Sequence, residues 1–222
     1  MRASLDTNVI IHFYRAGRQY LLFELFEDGV IIYEQIRTVE LEHHGQEVLA
    51  AVDADIEAGT LVQYTDDMLK QNGVLRIFQE NVKENRKLYS PQDLGEVYAI
   101  SLAQTLGVYS LVTDDTKRGG PYDSLLQFAD NEIMPFHFVD VLVLRYLFGL
   151  SDAKQTVSDF NAINECSCLN WSLKSKLASF IRRFHTDPFR EDDVAWLNGI
   201  IEKYGIDLRE KMMELRDAMQ SG

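Results

Sequence analysis

Five short apolar runs, all but the first rich in β-branched or aromatic residues, constrain this sequence more than any other feature. Each is parted from the next by enough chain for a helix. They occupy residues 3–6, 30–33, 61–64, 108–113 and 133–139. Runs of that length bounded by turn residues read as strands. The intervening segments carry helical spacing instead. In 9–26, Ile10, Phe13, Tyr14, Leu21, Leu22 and Leu25 recur at roughly that spacing, with Gly17 as an interruption. Segment 34–56 reads as helix broken near His43-His44-Gly45, and 65–89 as a polar helix carrying Lys83, Arg86 and Lys87. Ser90-Pro91-Gln92-Asp93 is a helix start, with Ser as the cap, Pro in the first turn and Asp closing a capping box. That helix runs to about residue 105 and stops at Gly107; 117–121 reads as a loop. Strands alternating with helices predict the α/β class with a mostly parallel sheet, because parallel neighbours need a crossover, usually a helix. Past residue 150 the strand signal ends and helical periodicity takes over. The expected organisation is therefore a domain over 1–150 and an all-helical extension over 151–222.

Hydrophobic residues make up 46% of the 222, enough to build a core. The formal net charge of −13 argues against a protein that coats nucleic acid nonspecifically, since phosphate binding needs Lys and Arg. It leaves room for a nuclease, where a local basic patch suffices. Cys166 and Cys168 are too few for a disulfide framework and fit a reducing cytoplasm. A zinc site would need two further ligands, and His185 is the candidate nearby, so buried free thiols are expected. No signal-peptide pattern opens the sequence. The most apolar stretch, 133–150, holds His137, Asp140 and Arg145, so a buried strand and helix are expected there rather than a membrane span. A cytoplasmic protein with no membrane partner is the expectation.

Acids stand where such a sheet presents ligands, at the C-terminal ends of strands. Asp6 ends the first run and precedes Thr7-Asn8. It reads either as a helix cap or as a carboxylate projecting into the crevice. Glu40 follows the second run, with Glu42 competing for its role. Asp93 and Glu96 share one helix face. The capping box accounts for Asp93, whereas Glu96 borders Val97, Ala99, Ile100, Leu102 and Ala103, so Glu96 is the preferred functional acid. Asp114 and Asp115 close the fourth run after Thr113; turn formation is their alternative role. Lys117 and Arg118 follow, cations suited to a phosphate-bearing substrate. Carboxylates gathered in one crevice repel one another, and a hard divalent cation relieves that repulsion. The chemistry this suggests is metal-dependent phosphodiester hydrolysis.

Together these residues resemble the PIN-domain family of nucleases over roughly residues 1–145. Leu5-Asp6-Thr7-Asn8 is similar to the family's opening Asp motif, Glu40-Leu41 to its second acid, Gly95-Glu96 to its third and Thr113-Asp114-Asp115 to its fourth. The resemblance implies a three-layer α/β/α sandwich and Mg²⁺- or Mn²⁺-dependent cleavage of RNA. It implies Asp6, Glu40, Glu96 and Asp115 as the catalytic acids. Asp6, Glu96 and Asp115, with Asp114 as the competing ligand, would hold metal. Thr7, Asn8, Asp93 and Thr113 would support them, and Lys117 or Arg118 would anchor a phosphate. Toxins of toxin–antitoxin pairs are common in the family, as are dimers, so an antitoxin and a homodimer are the implied partners. The third acid departs from the commoner Asp, and the last third of the chain matches nothing in the family.

The competing class is a scaffold or binding protein that keeps the fold without the activity. A haloacid-dehalogenase phosphatase is disfavoured because Asn8 stands where that mechanism needs a second Asp. A receiver domain is disfavoured because the third run ends without a phosphoacceptor. In the extension, Leu173, Leu177, Phe180, Ile181 and Phe184 share a face, and Lys174, Lys176, Arg182 and Arg183 are expected on a solvated side of the helix, with an RNA-contacting surface as the alternative. Leu208, Met212, Leu215 and Met219 form a second stripe, read as core rather than as a partner groove, with dimerisation through this helix left open. His43 and His44 are expected at a helix end or on the surface.

Overall fold

The computed structural model describes residues 1–89, 94–127 and 131–220. The capping sequence 90–93, and Asp93 with it, lies outside the described residues. The chain divides into two compact units, Met1–Phe138 and Val139–Gly222.

The first unit runs β1 (Arg2–Leu5), α1 (Thr7–Arg15), α2 (Tyr20–Leu25), β2 (Gly29–Tyr33), a π-helical turn (Ile36–Leu41), α3 (Glu42–His44), a 3₁₀ turn (Gln46–Val48) and α4 (Leu49–Ala58). It continues with β3 (Leu61–Tyr64), α5 (Asp66–Gln71), α6 (Leu75–Asn85), α7 (Leu94–Leu106), β4 (Ser110–Val112), α8 (Pro121–Gln127) and β5 (Met134–Phe136). The strands form one sheet in the order β3-β2-β1-β4-β5, with every neighbouring pair parallel. The predicted α/β class with a parallel sheet is therefore what forms. Ala3, Leu5, Val30, Ile31, Ile32, Leu111 and Val112 are all fully buried. Successive strand residues point to opposite faces, so both faces of the central strands are covered, which explains their continuous apolar runs.

Chain order turns around at β1. From there β2 and β3 lie on one side, while β4 and β5 add on the other. Such a reversal leaves a crevice beyond the carboxyl ends of the two strands that flank it. Here those strands are β1 and β4. α7 lies across β1, β2 and β4, buried from Gly95 to Ala103, and the Ser4 hydroxyl donates to the Ala99 carbonyl at 2.9 Å. The helix expected over 9–26 is split at Gly17, whose φ of 62° is a conformation glycine reaches without strain. The loop expected over 117–121 gives way to α8, with Pro121 at its first position, where the missing N–H costs nothing.

The second unit takes up α9 (Phe138–Leu147), which begins at the division. The sequence boundary near 150 kept this helix with the first part. It continues with α10 (Ala153–Cys166), α11 (Leu173–Ile181), a second π-helical turn (Arg182–Thr186), α12 (Glu191–Tyr204) and α13 (Leu208–Gln220). Its described residues hold helices and no strand. Leu173, Leu177, Phe180 and Phe184 are buried along the expected face. Two expectations are corrected here. Arg183 is buried, 2.7 Å from Asp193 and 3.7 Å from Asp140, because it lies in the π-helical turn that continues α11 and leaves the helical register. Cys166 and Cys168 are free but exposed, because α10 ends at Cys166 and Cys168 follows in a left-handed turn at φ 50°. Among the described residues no helix is long and apolar enough to cross a membrane.

Candidate active site at the β1–β4 crevice

Backbone pairing places the first acid. Leu5 is in register with Val112, and the Asp6 N–H donates to the Val112 carbonyl at 3.0 Å. The Thr113 N–H donates to Phe136 at 2.8 Å. The ladder thus continues one residue past β1 and β4, leaving Asp6 and Thr113 abreast at the rim. There the Thr113 hydroxyl donates to Asp6 Oδ2 at 3.1 Å and accepts the Asp115 N–H at 3.3 Å. Asp6 occupies the N-cap position of α1 but its carboxylate makes no capping hydrogen bond into the helix. The cap reading therefore fails for the side chain.

Asp6 is only 1% exposed, and its carboxyl is pushed up to about 7. Burial is the largest cause, since it penalises the charged form. The Thr113 hydroxyl and the Thr7 N–H pull the other way, while the negative charges of Asp114 and Asp115 add to the rise. The acids after β4 are thus close enough to oppose the ionisation of Asp6.

On the other side of Asp6 lies a pocket of about 280 Å³ lined by Asp6, Thr7, Asn8, Glu40, His44, Gly95 and Glu96. Glu40 comes from the π-helical turn, a geometry often found at functional sites. Gly95 and Glu96 come from the first turn of α7, and Glu96 is 6% exposed. Gly95 is what lets these elements meet: a Cβ there would lie 2.6 Å from Thr7 Oγ1 and 3.4 Å from Glu40 Cγ. Thr7 Oγ1 is buried and has no hydrogen-bond partner among the described residues, so Thr7 supports Asp6 through its backbone N–H, and the hydroxyl contact comes from Thr113.

The remaining acids are already engaged. Asp114 accepts the Phe138 N–H through Oδ1 at 2.8 Å, and His12 Nδ1 lies 2.6 Å from its Oδ2. Asp115 accepts the Lys117 N–H at 3.1 Å and pairs with Lys117 Nζ at 2.6 Å. Lys117 therefore neutralises an acid of the cluster in this arrangement, and Arg118 is exposed. Gly120 packs against Asp115, where a Cβ would come within 2.8 Å of Oδ1. Asp6, Glu40 and Glu96 thus share one pocket, with Asn8 beside them. Asp114 and Asp115 stand apart from that lining and reach Asp6 through their charge and through Thr113. Among the described residues no three Asp, Glu, His or Cys side chains stand close enough to hold a metal ion. Sequence reasoning missed His12. Its spacing from Asn8, one turn on along α1, was the available signal.

Comparison of the chain with protein-family models, curated proteins and solved structures returns no match.

Proposed function

We propose that this chain is a PIN-like, divalent-metal-dependent ribonuclease. The observation that carries the reading is the placement of Asp6 and of Asp114-Asp115 at the carboxyl ends of the two strands flanking the reversal, with Asp6 held near neutrality by burial and by the other acids. That is where an open parallel sheet takes its ligand, and a carboxyl this uncomfortable gains from a cation. The donor set suits a hard ion in kind: Asp6 and Glu96, which line one pocket, would hold Mg²⁺ or Mn²⁺ directly, with Glu40 and Asp115 reaching it through water, since Mg²⁺ keeps several waters and needs few protein ligands. When bound, such an ion activates water and stabilises a leaving phosphate oxygen. Thr113 keeps the Asp6 carboxylate aimed at the rim, and Gly95 keeps the mouth of the pocket open. Lys117, released from Asp115, and Arg118 are placed to meet a phosphate. RNA as substrate, and an antitoxin and a second copy as partners, rest on the motif resemblance.

One observation favours the scaffold reading instead. Both oxygens of Asp114 are occupied and Asp115 is tied to Lys117, a self-satisfied arrangement that needs no ion. Incubation of a fluorescently quenched RNA with the purified chain decides between the two. The nuclease reading expects cleavage with Mn²⁺ or Mg²⁺ that stops with chelator and in a folded Asp6→Asn variant. Cleavage that persists in Asp6→Asn, or none by wild type under any divalent ion, rejects it.

A further inference from the structure

The second unit carries an open groove of about 900 Å³ between α11 and α13 that the nuclease reading does not use. Its floor is apolar, with Leu177 and Ile181 from α11 facing Leu208, Met212 and Met219 from α13. The stripe expected as core is largely open: only Leu215 is fully buried, Met212 and Met219 are half-covered and Met213 is 48% exposed. Three of the chain's six methionines therefore line one surface. Methionine side chains adapt to a partner's shape and suit a recognition groove. The apolar stripe runs lengthwise along α13, which suits an elongated occupant better than a compact one.

The rim identifies the occupant's charge. In a chain of net charge −13, the groove is bordered by Lys174, Arg209 and Arg216, against the single carboxylate of Asp207. Lys174 and Arg209 have no ion-pair partner among the described residues. The acids of the same helix, Glu210, Glu214 and Asp217, lie outside the lining, and of these Asp217 pairs with Arg216 at 3.6 Å in an exposed contact that a partner's acid can replace. Arg209 and Arg216 are seven residues apart on α13, about 10 Å along the axis. Acids two turns apart on a partner helix have the same spacing. We propose that this groove docks an amphipathic α-helix of another protein, one whose apolar face is flanked by Glu or Asp. A second copy of this chain meeting the groove through the same face is the poorer fit, because it would set one basic rim against another. The inference stands independently of the nuclease reading.

Fluorescence anisotropy with the full chain tests it. The probe is a labelled synthetic helix of about 18 residues, with Leu at i, i+3, i+4 and i+7 spacing and Glu on both flanks. Its control carries Lys in place of every Glu. Binding of the Glu peptide below ~100 µM, at least tenfold tighter than the Lys peptide, is expected. Met212→Glu is expected to weaken that binding about tenfold or more. The double variant R209E/R216E changes exposed side chains only, so it keeps its fold even where Met212→Glu does not, and its preference is expected to swing to the Lys peptide. No binding of the Glu peptide, equal binding of both peptides, or an unchanged preference in R209E/R216E overturns the proposal. So does a dimer in sedimentation that R209E/R216E dissociates, since the occupant is then a second copy.

Discussion

Burying a carboxyl as deeply as Asp6 penalises its charged form, and the penalty has a pH signature. Its folded value near 7 lies above the ordinary 3.8, so between those pH values the folded state binds more protons than the unfolded one. The stability this group contributes is complete below about pH 4, falls as pH rises towards 7, and is gone above it. Asp6→Asn, which cannot ionise, is therefore expected to be more stable than wild type at pH 8 with chelator present, by on the order of 2–4 kcal/mol, and to lose that advantage at pH 4. Urea unfolding at the two pH values measures the difference, and a variant less stable than wild type at pH 8 contradicts the burial account. Lys117 gives a second residue-scale outcome. Its side chain is more than half exposed, so its pairing with Asp115 is worth at most about 1 kcal/mol. Lys117→Ala should therefore tighten Mn²⁺ binding by no more than about fivefold. A loss of binding would mean that Lys117 organises the site rather than competing with the ion.

The elements meet at Gly95, and here two effects oppose each other. Replacing an internal helical Gly by Ala ordinarily gains up to about 1 kcal/mol. At Gly95 the new methyl would stand 2.6 Å from Thr7 Oγ1, on a β-branched side chain with little rotamer freedom in α1. The clash is expected to win, costing roughly 1–3 kcal/mol net, and Thr7→Ala is expected to restore much of the loss in the double variant; additive effects would contradict the contact. The sequence made the strands legible because, buried on both faces, they read as continuous apolar runs. It made Asp6 and Asp114-Asp115 legible because they stand where those runs end. It could not show that Thr113 answers Asp6 across two strands, since that contact spans 107 residues and depends on the Leu5–Val112 register. It could not place Lys117 on Asp115 or Arg183 in the interior, because an ion pair's choice of partner and a π-helical turn leave no periodic trace. His12 was legible only in part: its spacing from Asn8 was visible, its pairing with Asp114 was not.

At the scale of the molecule, the proposed chemistry belongs to the first unit and the helix-docking groove to the second. Hydrogen exchange with and without Mn²⁺ should reflect this. Slower exchange is expected around Asp6–Ile10 and Thr113–Asp115, with none along α11 to α13; protection confined to the second unit would place the ion elsewhere. The central claim is that acids at the ends of β1 and β4 form a cation-binding crevice. Calorimetric titration of Mn²⁺ into wild type and Asp6→Asn at pH 8 tests it most directly. The account predicts saturable binding to wild type, weakened at least tenfold in the folded variant. Equal binding by both proteins, or none by wild type, would contradict it.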